Sequence, residues 1–147
     1  MNKLLTFAQL NFLPRSTDAG LLVLRLWLGL TLVLLHGRGK LTGFSTMAAQ
    51  FPDPLGVGSQ NSLMMAVFAE VACAVLLALG LFTRFAALVL AITMAVAFFA
   101  VHKMALSGPQ SGELAFVYLA GFVALFVAGP GRFSVDAQLS RSTVRPS

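Results

Sequence analysis

The sequence predicts an all-α integral membrane protein, a four-helix bundle with a short N-terminal interfacial helix. Composition comes first: 58% of the 147 residues are hydrophobic and only 10% are charged, against about 25% in a typical soluble domain. Mean hydropathy is +0.87. Too few polar side chains remain to coat a water-soluble globule. Second, apolar stretches close to the roughly 20 residues that cross a bilayer recur along the chain, separated by Gly- and Pro-bearing turns. Third, the Lys and Arg residues stand singly at the ends of these stretches. That pattern fits the flanks of membrane spans. Despite a net charge of +5 and a pI near 10.4, it excludes a nucleic-acid surface, which needs basic runs interleaved with aromatics.

Residues Met1–Leu13 mix Leu, Phe and Ala with Lys3, Gln9 and Asn11 before Pro14. They read as a helix lying along the membrane surface, too short to span. The apolar part is interrupted and no small-residue cleavage pattern follows, so this is not a signal peptide. Ser16-Thr17-Asp18 offers an N-cap, and the first span covers about 19–36, closing at His36-Gly37. A Gly- and Pro-rich loop, Arg38–Gln60, follows. Such long connections are often functional, and Leu41, Phe44, Met47 and Phe51 would fold it back onto the membrane surface as a short helix. The second span covers about 61–82, the third about 84–102 and the fourth about 113–129, with Ser107-Gly108-Pro109 and Gly129-Pro130-Gly131 as turns. Residues 1–136 form one domain, and 137–147 form a polar tail, a short amphipathic piece followed by disorder.

An even number of spans puts both termini on one side. Lys3, Arg15, Arg84, Arg132, Arg141 and Arg145 share that side, against Arg38, Lys40 and Lys103 opposite. The positive-inside rule therefore puts both termini in the cytoplasm.

Charges inside spans are expensive, at about 2.5–3.5 kcal/mol on insertion scales, and are functional by default. There are two: Arg25 in the first span and Glu70 in the second. Helix rise puts Arg25 about 16 Å below His36 and Glu70 about 13 Å below Asn61. Adjacent antiparallel helices would thus pair them, as a structural clamp or as the floor of a site. At the outer end, His36, His102, Lys103, Glu113 and, deeper, Tyr118 would form the mouth of a cavity above that floor. They are equally readable as helix caps and interface residues. No ligand spacing for a metal appears. Cys73 is the single cysteine, so there is no disulfide or CxxC pair, and it reads as a small core residue.

The succession HGRGKL, AE, GLFTR, H, GELAFVYL and GPGRFSVD, in order from about Asp18 to Asp136, resembles the DoxX family. The resemblance implies a four-helix inner-membrane protein, related to subunits of membrane complexes that handle sulfur or oxidative stress. It carries Arg25, His36, Lys40, Glu70, Arg84, His102, Glu113 and Asp136 onto the family's polar pattern. The leading expectation is a membrane subunit of a redox system that binds a quinone or a similar apolar molecule between helices. Glu70, Arg25, His102 and Glu113 would act on protons; Arg25, Glu70, His36, Lys40 and Tyr118 would hold the ligand. Its partners would be the lipid bilayer and a protein of a membrane redox complex, with homo-oligomers compatible and enzymatic activity left open. The alternative is a non-enzymatic scaffold that anchors a soluble partner enzyme through its basic rim or long loop. Transport of a small solute is disfavoured, since the chain has no broken-helix repeat.

Overall fold

The computed structural model describes residues 8, 10 and 16–143. The expected interfacial helix over Met1–Leu13 and the last residues of the tail lie outside them, apart from those two positions. Among the described residues every regular element is helical, as composition demanded. Three helices are long and apolar enough to cross a membrane: α1 (Thr17–Thr42), α3 (Ser59–Leu79) and α4 (Thr83–Val101). A short helix α2 (Phe44–Met47) lies in the loop between α1 and α3. α5 (Glu113–Ala128) is apolar but has 16 residues, a rise of about 24 Å, so it is the shortest member of the bundle. α6 (Val135–Thr143) follows it.

Local chemistry explains the ends. Ser16 Oγ accepts the Ala19 N–H at 3.1 Å and caps α1. α3 ends in a Schellman turn: Gly80, at φ +72°, gives its N–H to Leu77 O and Leu81 gives its own to Leu76 O. α4 starts immediately afterwards and has no cap of its own. Its cap comes from far along the chain, where the Asp136 carboxylate accepts Phe82 N–H at 2.8 Å, Thr83 N–H at 2.9 Å and Thr83 Oγ–H at 2.8 Å. A carboxylate at a helix N-terminus also complements the dipole. In the long loop, Asp53 plays the same part for α3, accepting from Val57 N, Gly58 N and Ser62 Oγ.

The core sets small residues of α3 and α4 against larger ones. Ala69, Cys73, Ala74 and Leu77 of α3 meet Ala86, Ala87, Leu90, Ala91 and Met94 of α4 and Tyr118, Phe122 and Leu125 of α5. These recur at helical spacing, and small side chains let backbones come close where no hydrophobic effect drives helices together. α1 docks on α3 through two glycines eight residues apart. An added Cβ at Gly29 would sit 2.7 Å from Ala74 O, and at Gly37 2.6 Å from Glu70 O. The opposite face of α1 exposes Val23, Leu26, Trp27, Leu30 and Leu34, an apolar surface suited to lipid.

α1 does not stop at His36. It continues through a π-helical turn, Val33–Gly37, to Thr42, so the Gly- and Lys-bearing HGRGKL segment is helix, not loop. Asp18 accepts the Arg132 N–H at 2.8 Å, so one end of the bundle gathers the start of α1, the α3–α4 turn and the 130–136 segment. The other end gathers His36, Lys40, His102 and the start of α5.

Candidate functional site

At the end away from the start of α1 and the 130–136 segment, α1, α3, α4 and α5 part around a cavity of about 310 Å³. Its apolar wall is Leu32, Met94, Ala97, Leu114 and Ala115; its polar groups are His36, Lys40, Glu70, Ser111, His102 and Tyr118. Three of the four helices change from α to π geometry beside it, at Val33–Gly37, Phe68–Cys73 and Val96–Val101. A π turn widens the helix and rotates the residues after it, and such turns concentrate at functional sites. Here they carry His36, Glu70 and Ala97 to the cavity.

Glu70 is buried, and Lys40 Nζ donates to its Oε2 at 2.6 Å. Both can reach the cavity because α1 continues past Gly37, whose missing side chain lets α1 rest on the Glu70 carbonyl. Tyr118 is buried between α1 and α5. Its hydroxyl donates to Thr31 Oγ1 at 2.8 Å, and Thr31 in turn donates to Trp27 O at 2.6 Å. The His36 ring stands edge-on to Tyr118, centroids 6.1 Å apart, and Phe122 stacks on Tyr118 at 5.7 Å. His102 Nδ1 lies 2.9 Å from Gln110 O, which fixes the ring at the mouth. Gly112 packs against His102 and Phe98 with no room for a Cβ, holding the start of α5 against the end of α4.

Five of the seven sequence-chosen residues therefore meet: His36, Lys40, Glu70, His102 and Tyr118. Two do not. Arg25 does not pair with Glu70. The two glycine contacts set an α1–α3 register that puts Gly37 opposite Glu70, so Arg25 lies twelve positions and roughly 18 Å along the helix away. The expectation assumed that α1 ends at His36; because it ends at Thr42, the shared depth vanishes. Arg25 is fully buried at the other end of the bundle, where Nη2 donates to Phe133 O at 2.7 Å and Nη1 to Leu77 O at 3.4 Å. It ties the 130–136 segment to the α3 terminus. Glu113 also stays outside. Leu114, Ala115 and Tyr118 share the inward face of α5, and Glu113 falls on the outward side, exposed.

Asp136 stands beside Arg25's end of the bundle. Burial pushes its carboxyl up, but the hydrogen bonds from Thr83 and Phe82 and the charge of Arg25 outweigh this, and it lies below the ordinary carboxylate range. In the loop, the Ser62 hydroxyl and then the Gly58 N–H hold Asp53 below that range too. Among the described residues no group of three or more His, Cys, Asp or Glu could hold a metal ion.

Sequence reasoning missed Thr31 and Ser111. Thr31 did leave a signal, as the one hydroxyl in the apolar run of the first span; Ser111 left none. Nothing in the sequence marks the π turns.

An uncharacterised protein of Haemophilus influenzae is 34% identical over 108 residues, covering 70% of this chain and 78% of that protein. No solved structure matches significantly. The DoxX family model matches residues 20–103, more than half of the chain and inclusive of His36, Lys40, Glu70 and His102. The chain belongs to the DoxX family of membrane proteins.

Proposed function

We propose that the cavity binds the head group of a quinone or a similar flat, apolar carbonyl compound, and that the chain serves as a membrane subunit of a redox system. The observation that carries this is the Lys40–Glu70 pair facing a cavity of about 310 Å³ whose lining sets an apolar wall against His36, His102, Ser111 and Tyr118. Ligand sites are typically apolar pockets of about 300–1,000 Å³ with a few placed polar groups, so the space suits a single ring. The donor set fits such a ring as well. Lys40 and the two histidine rings offer N–H donors for carbonyl oxygens, and Leu32, Met94 and Ala97 offer an apolar bed.

A bound quinone supplies two-electron, two-proton chemistry. This chain's residues would bind, orient and handle protons. Lys40 donates a charge-assisted hydrogen bond to a ligand oxygen while keeping contact with Glu70. Glu70 accepts or returns a proton, and His102 at the mouth passes it to or from water. Tyr118 and His36 hold the ring plane by edge and face contacts. Arg25 and Glu113 take no part. The electron donor would be a partner redox protein in the same membrane complex, and the general association of the DoxX family with redox-related membrane functions supports this.

The test is mass spectrometry of small molecules that leave the membrane with the protein in a mild detergent. A stoichiometric quinone in wild type, lost in Glu70→Gln and retained in Glu113→Gln, is expected. A folded wild-type protein carrying no such molecule, and binding none when a short-chain quinone is added, would overturn the reading. A co-purifying soluble enzyme without a bound small molecule would favour a scaffold instead.

A further inference from the structure

On the outward face of α1, Val23, Leu26, Trp27, Leu30 and Thr31 line an apolar groove of about 270 Å³. Trp27 is 70% exposed in it. The groove shares no residue with the polar cavity, yet one hydrogen bond joins them: Tyr118, which lines the cavity, donates to Thr31, which lines the groove. Toward the bundle's other end the α1–α5 seam is tightly closed, because a Cβ at Gly121 would fall 2.5 Å from Leu28. At Thr31 the Tyr118–Thr31 hydrogen bond bridges the seam.

The geometry points to a ligand with two parts: a polar ring in the cavity and an aliphatic tail that leaves between α1 and α5 and lies along the α1 groove, with the Tyr118–Thr31 hydrogen bond as the latch on that path. This rests on the cavity reading above and deepens it, from a small apolar molecule to a tailed, membrane-borne one. Three features argue for that occupant. The cavity is at the low end of ligand pockets in volume, enough for a ring and too small for a long chain as well. The groove is lined by aliphatic side chains, one indole and, at its end, the Thr31 hydroxyl, with no charge, which suits a hydrocarbon tail. Among the described residues the latch is the only side-chain hydrogen bond between α1 and α5, and Thr31 can keep its bond to Trp27 O when Tyr118 turns away. A second apolar groove, between the loop and α3–α4 (Phe51, Pro54, Met65, Ile92, Val96), shares no residue with the cavity, and among the described residues no side-chain hydrogen bond joins the two.

The experiment uses the full chain in phosphatidylcholine nanodiscs and a benzoquinone carrying a decyl tail that ends in a diazirine. The same ring without a tail is the competitor. The expected result is photolabel concentrated on the peptide containing Val23–Thr31 and abolished by the competitor. Thr31→Val should speed exchange of the tailed probe about two- to tenfold, the worth of one net hydrogen bond, and leave exchange of the tail-less ring unchanged. Competed label on the Phe51–Val96 groove, or spread evenly around the bundle, overturns the tail path and leaves the cavity reading standing. Label that the tail-less ring never displaces overturns both.

Discussion

The register of α1 against α3 makes a sharp energetic prediction about Lys40 and Glu70. Their 2.6 Å contact joins side chains that are 20% and 8% exposed, so solvent screens the pair only in part. At an effective dielectric of about 20 the direct attraction is roughly 6 kcal/mol. Desolvation offsets much of that, and a hydrogen bond between charged groups retains about 1.5–3 kcal/mol net. Lys40→Met leaves a buried carboxylate alone and should cost about 3 kcal/mol, the low end for breaking a buried pair, because water still reaches Lys40's position. Glu70→Gln should cost less, since the ammonium keeps an amide oxygen to bond. The double variant should recover about 1.5–3 kcal/mol relative to the sum of the single changes. The assay is a double-mutant cycle by reversible unfolding in mixed micelles. The same cycle on Arg25 and Glu70 should be additive within about 0.5 kcal/mol, because sites beyond about 10 Å do not couple. Additivity for Lys40–Glu70, or strong coupling for Arg25–Glu70, would refute the register and restore the pairing that the sequence pointed to.

Other substitutions test the packing. Gly37→Ala forces a Cβ against the Glu70 carbonyl and Val71 and should cost about 1–3 kcal/mol by overpacking; Gly39→Ala, which meets nothing, should be neutral or slightly stabilising by thermal melt. Gly80→Ala must hold a left-handed conformation, costing about 1–2 kcal/mol, and its Cβ would land on the Arg25 guanidinium, so the total loss should exceed the backbone term alone, a surplus that Arg25→Leu should erase in a melt of the double variant. Asp136 has a depressed carboxyl pKa, so its stabilising contribution is complete above the unfolded value of about 3.9 and is lost as pH falls through the lower folded value; wild type should lose stability below about pH 4 more steeply than Asp136→Asn, as read by unfolding against pH.

Legibility followed the range of the interactions. The Ser16 cap and the apolar runs are local signals, whereas the end of α1 depends on contacts with another helix. There the sequence offers His36-Gly37, a pairing that usually closes a helix. Gly37 instead serves close approach to Glu70, and tertiary packing carries the helix on to Thr42. The same glycine therefore explains both why Lys40 joins the site and why Arg25 does not. Asp136 shows the reverse case: the GPGRFSVD segment looked like the edge of a tail, and its carboxylate caps a helix that begins more than fifty residues earlier.

By itself, the sequence determined that the protein lives in a membrane, that it is all helix, and which polar residues are too costly to be there without a role. Those follow from composition, from period and from the solvation of single groups, each a property of the chain alone. Which charge meets which was decided only in three dimensions. A shift of a few residues in how two helices lie against each other moves a partner by many ångströms, and that register is set by glycine contacts between helices that no single segment contains.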